Sequence, residues 1–372
     1  MKRLRLGMVG GGQGAFIGGV HRFAARLDGR WDLVAGALSS DPARASASAE
    51  NLGLDPARSY TDFATMAQAE AAREDGIDAV AIVTPNHVHA APAIAFLDAG
   101  IHVICDKPLA GTEEDAQAIA AAVHRSGKHF ILTHNYTGYP LIRQARGLIA
   151  SGKLGAIRIV QVEYAQDWLT EPSDGKQAAW RADPQRSGRG GAIGDIGTHA
   201  FNLANFVTGL TPSHLAADLS AFVPGRPVDD NAHILLRYGG GARAMLWASQ
   251  VAVGNENGLR LRVYGDKAGL EWSQEDPNRM AFTRFGQPRQ IITRGGAGAT
   301  EAAMAVTRIP AGHPEGYLEG FATLYREAAD LISAEHAGGP KLLPGIVEGL
   351  DGVRFISACI ASAEAGTAWV EF

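Results

Sequence analysis

From Leu4 to about Tyr136, short apolar or β-branched runs alternate with alanine-rich stretches of helical period. That rhythm is the pattern of βαβ units wound around a buried parallel sheet. The runs Leu4–Val9, Leu33–Leu38, Ala79–Thr84, His102–Cys105 and Phe130–Thr133 predict strands, and Pro42–Leu52, His89–Ala99 and Glu113–Ser126 predict helices between them. Gly53, Gly100 and Gly127 fall where those helices should stop.

After Pro140 the pattern changes. A helix through about Ile149 should end at Ser151–Gly152, and longer alternating runs follow at Ile157–Tyr164, His233–Tyr238, Ala242–Gln250 and Leu259–Tyr264. Runs joined by glycine turns such as Gly239–Gly241 predict antiparallel pairing. Gly316–Ser333 and Pro344–Ala365 read as helices and Ala368–Phe372 as a closing strand; Gln287–Pro310, rich in Gly, Ala and Arg without a period, reads as a mobile loop. The expected fold is α/β. A doubly wound parallel sheet occupies residues 1–137, and an α+β domain with a large, mostly antiparallel open sheet occupies residues 138–372, its final helix able to pack back on the first domain.

The chain's 372 residues exceed what one core usually carries and suit two domains. With 46% hydrophobic and 20% charged residues the composition is globular, and a net charge of -5 gives no pull toward nucleic acid. Two cysteines, Cys105 and Cys359, imply no disulfide framework and fit a reducing compartment. The basic start Met1–Leu6 resembles the opening of a signal peptide, but glycines from Gly7 onward interrupt the apolar segment one would need, so a cytoplasmic location is expected. No apolar run approaches the roughly 18 residues of a membrane span.

Candidate chemistry begins where the first strand ends. Leu4–Val9 runs into Gly10-Gly11-Gly12-Gln13-Gly14-Ala15-Phe16-Ile17-Gly18, followed by a helix expected from about Gly19. Glycines there allow a tight turn and close approach of a pyrophosphate to a helix N-terminus, whose free N–H groups favour an anion. At the head of a βαβ series this predicts a Rossmann domain holding NAD or NADP, with Gly10, Gly12, Gln13, Ala15, Phe16 and Ile17 as contacts. The second strand ends in Ser39-Ser40-Asp41-Pro42, with Arg44 just beyond. Ser39, Ser40 and Arg44 suit a 2′-phosphate, which tilts the expectation toward NADP, while Asp41 suits either a ribose hydroxyl or a helix cap.

Three further motifs lie where such a fold presents its ligand: Thr84-Pro85-Asn86-His87-Val88-His89, Cys105-Asp106-Lys107-Pro108 and Gly194-Asp195-Ile196-Gly197-Thr198-His199. Together they resemble the family of glucose-fructose oxidoreductase, inositol dehydrogenase and the rhizopine-catabolism protein, across nearly the whole chain. The resemblance implies that Lys107, Asp195 and His199 form the catalytic group at a junction of the two domains. It also implies that Thr84, Pro85 and Asn86 line the nicotinamide pocket, with His89, Asp106 and Lys107 among the cofactor contacts.

The residues suit those roles. Spaced i, i+4, Asp195 and His199 share one helix face; His199 takes the alcohol proton while Asp195 orients the imidazole or a neighbouring hydroxyl, and Lys107 stabilises a developing alkoxide. The Lys107–Pro108 bond is expected to be cis. Three departures stand against the family pattern: a glycine turn about three residues longer, Asp106 in place of a glutamate, and no acid at the tip of the second strand.

Tyr136, Asp167, Trp168, Trp180, Arg181 and His313 are placed as candidate substrate contacts, because polyols are held by hydrogen bonds and by an aromatic face; the two tryptophans serve equally as core or interface residues. His87 and His89 lack companions at metal-ligand spacing, so no metal is expected, and Cys105 reads as an apolar filler. The resulting expectation is an NAD(P)-dependent oxidoreductase acting on a secondary alcohol of a sugar, keto-sugar or inositol. A non-catalytic sensor of the same fold is the alternative. The exposed side of the open sheet predicts a homodimer or homotetramer.

Overall fold

A computed structural model describes residues 3–172, 183–184, 188–333 and 342–372. The chain forms two compact units, the first comprising residues up to Asn135 together with Leu318–Val353, the second Tyr136–Tyr317 with Arg354–Phe372. The division thus falls two residues before the expected boundary, and a stretch expected in the second domain groups with the first.

The first unit is built on a parallel sheet of order β2-β1-β3-β4-β5, with β1 Leu4–Gly10, β2 Trp31–Ala37, β3 Ala79–Val83, β4 His102–Cys105 and β5 Phe130–Leu132. Every residue of β3 is buried, which an all-apolar Ala-Val-Ala-Ile-Val run permits without cost. Between the strands lie α1 Phe16–Leu27, α2 Pro42–Asn51, α3 Phe63–Ala71, α4 Ala90–Asp98 and α5 Glu113–Ser126. Their limits follow local chemistry: Thr112 accepts the Asp115 N–H at 3.1 Å to open α5, and Gly127 closes it at φ +64°. Helix α1 starts three residues earlier than expected, at Phe16, so Gly18 and Gly19 lie inside it. Helix α3, too short and alanine-rich to show a clear period, was not anticipated; Asp62 caps it by accepting the Thr65 N–H. Chain order reverses on either side of β1, so the carboxyl ends of β1 and β3 form the switch point at which such sheets bind ligands.

The second unit carries a nine-stranded sheet of order β13-β12-β11-β10-β6-β9-β8-β7-β14. Its strands are β6 Ile157–Ala165, β7 Pro212–Ser220, β8 Asn231–Tyr238, β9 Arg243–Ser249, β10 Gly258–Gly265, β11 Ala268–Ser273, β12 Arg279–Arg284, β13 Gln290–Thr293 and β14 Val370–Glu371. Pairing is antiparallel throughout except between β6 and β9. One face packs against α6 Pro140–Ala150, α7 Thr198–Thr208 and the aromatic stack Phe201–Phe355, whose rings lie 4.3 Å apart. On the other face Ile159, Leu235 and Met245 stand 47%, 50% and 41% exposed. No described helix is long and apolar enough to cross a membrane.

The segment expected as a mobile loop is instead ordered around β13, α8 Glu301–Met304 and one buried arginine. Arg294 donates to Asn278 Oδ1 at 2.8 Å, to the Ile309 and Pro310 carbonyls, to the His313 carbonyl and to Glu315 at 2.9 Å. Glu315 in turn accepts the Arg308 and Ile309 N–H groups. Periodicity is blind to such order because side chains rather than a repeating ladder satisfy the backbone. Two further helices, α9 Tyr317–Ile332 and α10 Ile346–Glu364, complete the described chain.

Replacing Arg294 by Met leaves the Glu315 carboxylate buried without its cation, which costs about 3–5 kcal/mol. Calorimetry should show the melting temperature of Arg294→Met lowered by roughly 10 °C, and Glu315→Gln in the same chain should restore part of the loss. Identical melting of Arg294→Met and the parent chain would sink this account.

Candidate active site

The glycine turn at the end of β1 takes its shape from close approach. Gly10 and Gly11 have φ of +79° and +72°, and a Cβ on Gly18 would stand 2.4 Å from the Gly11 Cα. Gly18 therefore takes the part of the third glycine, letting α1 sit directly against the strand end, and this accounts for the longer spacing. Ala15 precedes α1 and its side chain offers no cap to the first-turn N–H groups. A Cβ on Gly12 would reach 2.7 Å from the Leu38 carbonyl oxygen, and the Gln13 N–H donates to Ser48 Oγ at 3.1 Å, which ties the turn to α2. An uncapped helix start behind a glycine cradle fits a dinucleotide phosphate.

At the end of β2, Asp41 accepts the Arg44 N–H at 2.7 Å and Ser39 Oγ accepts the Asp41 N–H at 3.1 Å. Of the two roles open to Asp41, the structure thus shows the helix cap. Ser40 and Arg44 are part of the same exposed or half-exposed corner.

The ends of β3 and β4 carry the other two motifs of this unit. Lys107–Pro108 is cis. His89, expected among the cofactor contacts, is fully buried, its Nδ1 lying 2.8 Å from the Pro108 carbonyl oxygen and its Nε2 2.9 Å from that of Thr84. It therefore braces the Thr84-Pro85-Asn86 turn against the lysine loop. Asp106 accepts the Thr133 hydroxyl at 2.9 Å and lies 3.8 Å from His21 Nε2, while His21 Nδ1 meets the Tyr325 hydroxyl at 2.8 Å. Burial opposes ionisation of Asp106, yet His21 and Lys107 outweigh it and hold the carboxyl well below the usual range. Burial, reinforced by the Lys107 cation, pushes His134 down to about 3, and burial likewise lowers His89. Cys105 is buried, which raises its thiol.

In the second unit, Asp195 lies within a π-type turn, Ile193–Gly197, that runs directly into α7, so the Asp195–His199 spacing spans two helix geometries rather than one. Asp195 accepts from Gln250 Nε2 at 2.9 Å. The buried His199 ring packs edge-on to Tyr136 at 5.0 Å. A chain of polar groups leads on from Tyr136. Its hydroxyl lies 2.6 Å from that of Tyr164, Tyr164 donates to Asn257 Oδ1 at 2.8 Å, Gln166 donates to the same oxygen, and Trp168 Nε1 donates to Gln166. Tyr136 and Trp168 thus belong to one network with His199 beside it. His313 does not join them: its side chain is exposed and its carbonyl serves Arg294. Trp180 and Arg181 lie outside the described residues. Tyr164, Gln166, Gln250, Asn257 and His134 were missed; the signal of the first four was a polar side chain at or near the end of an alternating strand, and that of His134 a polar residue just past the apolar strand β5. Among the described residues no three His, Cys, Asp or Glu side chains gather as a metal ion would require.

Comparison with known proteins matches this architecture twice. A family model described as an oxidoreductase family with an NAD-binding Rossmann fold matches residues 4–136, and one described as a GFO/IDH/MocA C-terminal domain matches residues 142–271. A crystal structure of an oxidoreductase from Sinorhizobium meliloti is 55% identical, superposes with a TM-score of 0.91 and covers 100% of both chains. An inositol dehydrogenase homolog from Azotobacter vinelandii was solved with NAD+ and with NADH and myo-inositol; the NAD+ complex is 39% identical over 100% of this chain and 98% of that one, with a TM-score of 0.95. Levoglucosan dehydrogenase from Pseudarthrobacter phenanthrenivorans is 28% identical over 100% of this chain and 98% of its own length.

The histidine environment predicts a pH dependence of folding. Burial and the Lys107 cation hold His134 down to about 3 in the folded chain, whereas its pKa returns to near 6.5 on unfolding, so the unfolded chain binds more protons below that pH. This contribution to stability is complete above about pH 6.5 and falls by up to about 1.4 kcal/mol per pH unit toward pH 4. Urea melts across that range should show a shallower slope for His134→Asn than for the parent chain; parallel slopes would contradict the assignment.

Proposed function

The chain belongs to the Gfo/Idh/MocA family of oxidoreductases, and from that premise we propose that it transfers hydride between a nicotinamide cofactor and a secondary alcohol of a sugar, keto-sugar or inositol, with Lys107, Asp195 and His199 as the reacting group. The observation that carries this reading is His199, four residues after Asp195, packed against the Tyr136–Tyr164–Asn257–Gln166–Trp168 network, an aromatic surface edged by hydrogen-bonding groups of the kind that suits a polyol. Relatives named for myo-inositol and levoglucosan support the substrate class.

In this reading His199 accepts the hydroxyl proton as the C–H bond gives up its hydride and the carbinol becomes a carbonyl. The nicotinamide, when bound, takes that hydride. Asp195, held by Gln250, orients the imidazole, and the Lys107 ammonium stabilises the negative charge that grows on the substrate oxygen. The Gly10–Ala15 turn, which includes Gln13, would hold the pyrophosphate together with Phe16 and Ile17, and the Thr84–Asn86 turn would contact the nicotinamide half.

For the cofactor we place NAD ahead of NADP, against the expectation from the sequence. The inositol dehydrogenase homolog, which holds NAD+ and NADH, supports this order. Calorimetric titration should give a tighter Kd for NAD; a tighter Kd for NADP reverses the assignment. The exposed Ile159, Leu235 and Met245 support self-association through the open sheet face, so light scattering should return a dimeric or tetrameric mass, and a monomer would refute it.

The mechanism is tested on a panel of myo-inositol, D-glucose, D-xylose and levoglucosan with both cofactors. His199→Ala and Lys107→Ala should each lower kcat by about 10²–10⁴-fold. Unchanged rates in both variants would dismiss the proposed reacting group, whereas absence of turnover by the parent chain across the panel would leave the sensor role standing.

A further inference from the structure

Asp229, just before β8, is a buried carboxylate to which the chemistry above assigns nothing. Its Oδ1 accepts the Gly191 N–H at 2.6 Å and its Oδ2 accepts the Ile193 N–H at 2.8 Å, while its own carbonyl accepts the Ala192 N–H at 2.9 Å. Three successive amides thus end on one residue. They are the N–H groups at the start of the π-type turn, which would otherwise lie in the core without partners, and a negative charge is favourable at that end of a helical segment. The approach is close enough that a Cβ on Gly191 would stand 1.9 Å from the Asp229 carbonyl oxygen, so only glycine fits beneath it.

Asp195 follows this anchored stretch by two residues, and its N–H returns to the Gly191 carbonyl at 2.9 Å. A second path reaches the same carboxylate: Gln250, which donates to Asp195 Oδ2, is itself fixed by its N–H on the Asp230 carbonyl at 2.8 Å. Asp230 faces away, its carboxylate accepting the Phe222 and Val223 N–H groups and pairing with Arg226. The adjacent residues therefore hold the Asp195 backbone and the Asp195 side chain by separate routes. Burial pushes Asp229 up to about 6, a measure of how unfavourable a carboxylate is at this position unless its hydrogen bonds are needed.

We propose that Asp229 is a positioning residue, which through its bonds to Gly191, Ala192 and Ile193 sets the π-type turn and so the orientation of Asp195 and His199. This rests on the reading of Asp195 and His199 given above. An error of about 1 Å in the placement of a reacting group costs on the order of 10²-fold in rate, and that is the effect expected from loosening the turn.

The test is a kinetic double-mutant cycle of Asp229→Asn with Asp195→Asn in the full-length protein, using whichever polyol of the panel turns over fastest. The amide of Asp229→Asn keeps one acceptor but turns an NH2 group toward the second N–H. Expected are a kcat lowered about 10²-fold, KM for the polyol and Kd for NADH within about threefold of the parent, and almost no additional loss in the Asp195→Asn background. A lower melting temperature with kcat unchanged per folded molecule, or the same fold-loss with and without Asp195, overturns the proposal. Full activity of Asp195→Asn overturns the reading on which it rests and the proposal with it, whereas a slow Asp195→Asn with additive losses overturns the proposal alone. Should Asp229→Asn not fold, Asp229→Ser keeps a single acceptor, and hydrogen exchange at the amides of Gly191 to Ile193 should then quicken while β8 and β9 stay protected; unchanged exchange at these amides counts against the proposal.

Discussion

A backbone amide or carbonyl buried without a partner costs about 1–3 kcal/mol, and in three irregular segments of this chain a single buried side chain meets that requirement. His89 lies between two carbonyl oxygens, Asp229 accepts two amides, and Arg294 donates to three carbonyls of one loop. Each brace stands where neither a helix nor a sheet ladder can satisfy the chain. Each also fixes a segment that regular structure would leave free. The first holds the loop bearing Lys107, and the second holds the turn bearing Asp195. The third orders the stretch between β13 and α9.

The placement of these braces follows from the sheets. In both units the candidate residues lie near strand ends or in irregular turns, where no ladder satisfies the backbone. A protein that carries function there must close the ends with side chains rather than water, and the side chains able to do so are polar and buried. That is costly unless every donor and acceptor is matched. Asp106 illustrates the matching. Shorter by one methylene than the glutamate of related proteins, it meets Thr133 directly and approaches His21, which Tyr325 in turn supports.

Much of this fold can be read in the chain because two periods do most of the building. The strands of the first unit are mostly apolar and those of the second alternate, so β4 and α5 are placed to the residue and most others within two. Glycine marked the helix ends because its left-handed φ is visible in the sequence as glycine itself. What stayed hidden has no period. Helix α3 is short, β7 and β11 to β13 are interleaved with turns, and the Arg294 loop is held by side chain to backbone bonds that leave no repeat. The site shows the same split. Motifs singled out Lys107, Asp195 and His199 as candidates, whereas His89, expected as a cofactor contact, sits between two carbonyl oxygens, and Asp229 belonged to no motif. Spacing alone also implied a plain α-helical face for Asp195 and His199, where a π-type turn intervenes, because that turn depends on a partner far along the chain.

The electrostatics around Lys107 take the same reasoning a step further. An alkoxide forming on substrate is best met by one localised cation, since a charge shared among neighbours would be screened by their mutual repulsion and would shift as any of them titrated. Burial lowers His134 to about 3, and the Lys107 cation adds to that lowering. Asp106 remains ionised through the physiological range, so the lysine keeps a fixed counter-charge behind it. A second cation at His134 would raise the cost of ionising Lys107 and compete for the same anion. Keeping that ring neutral is therefore as much a part of the site as the lysine itself.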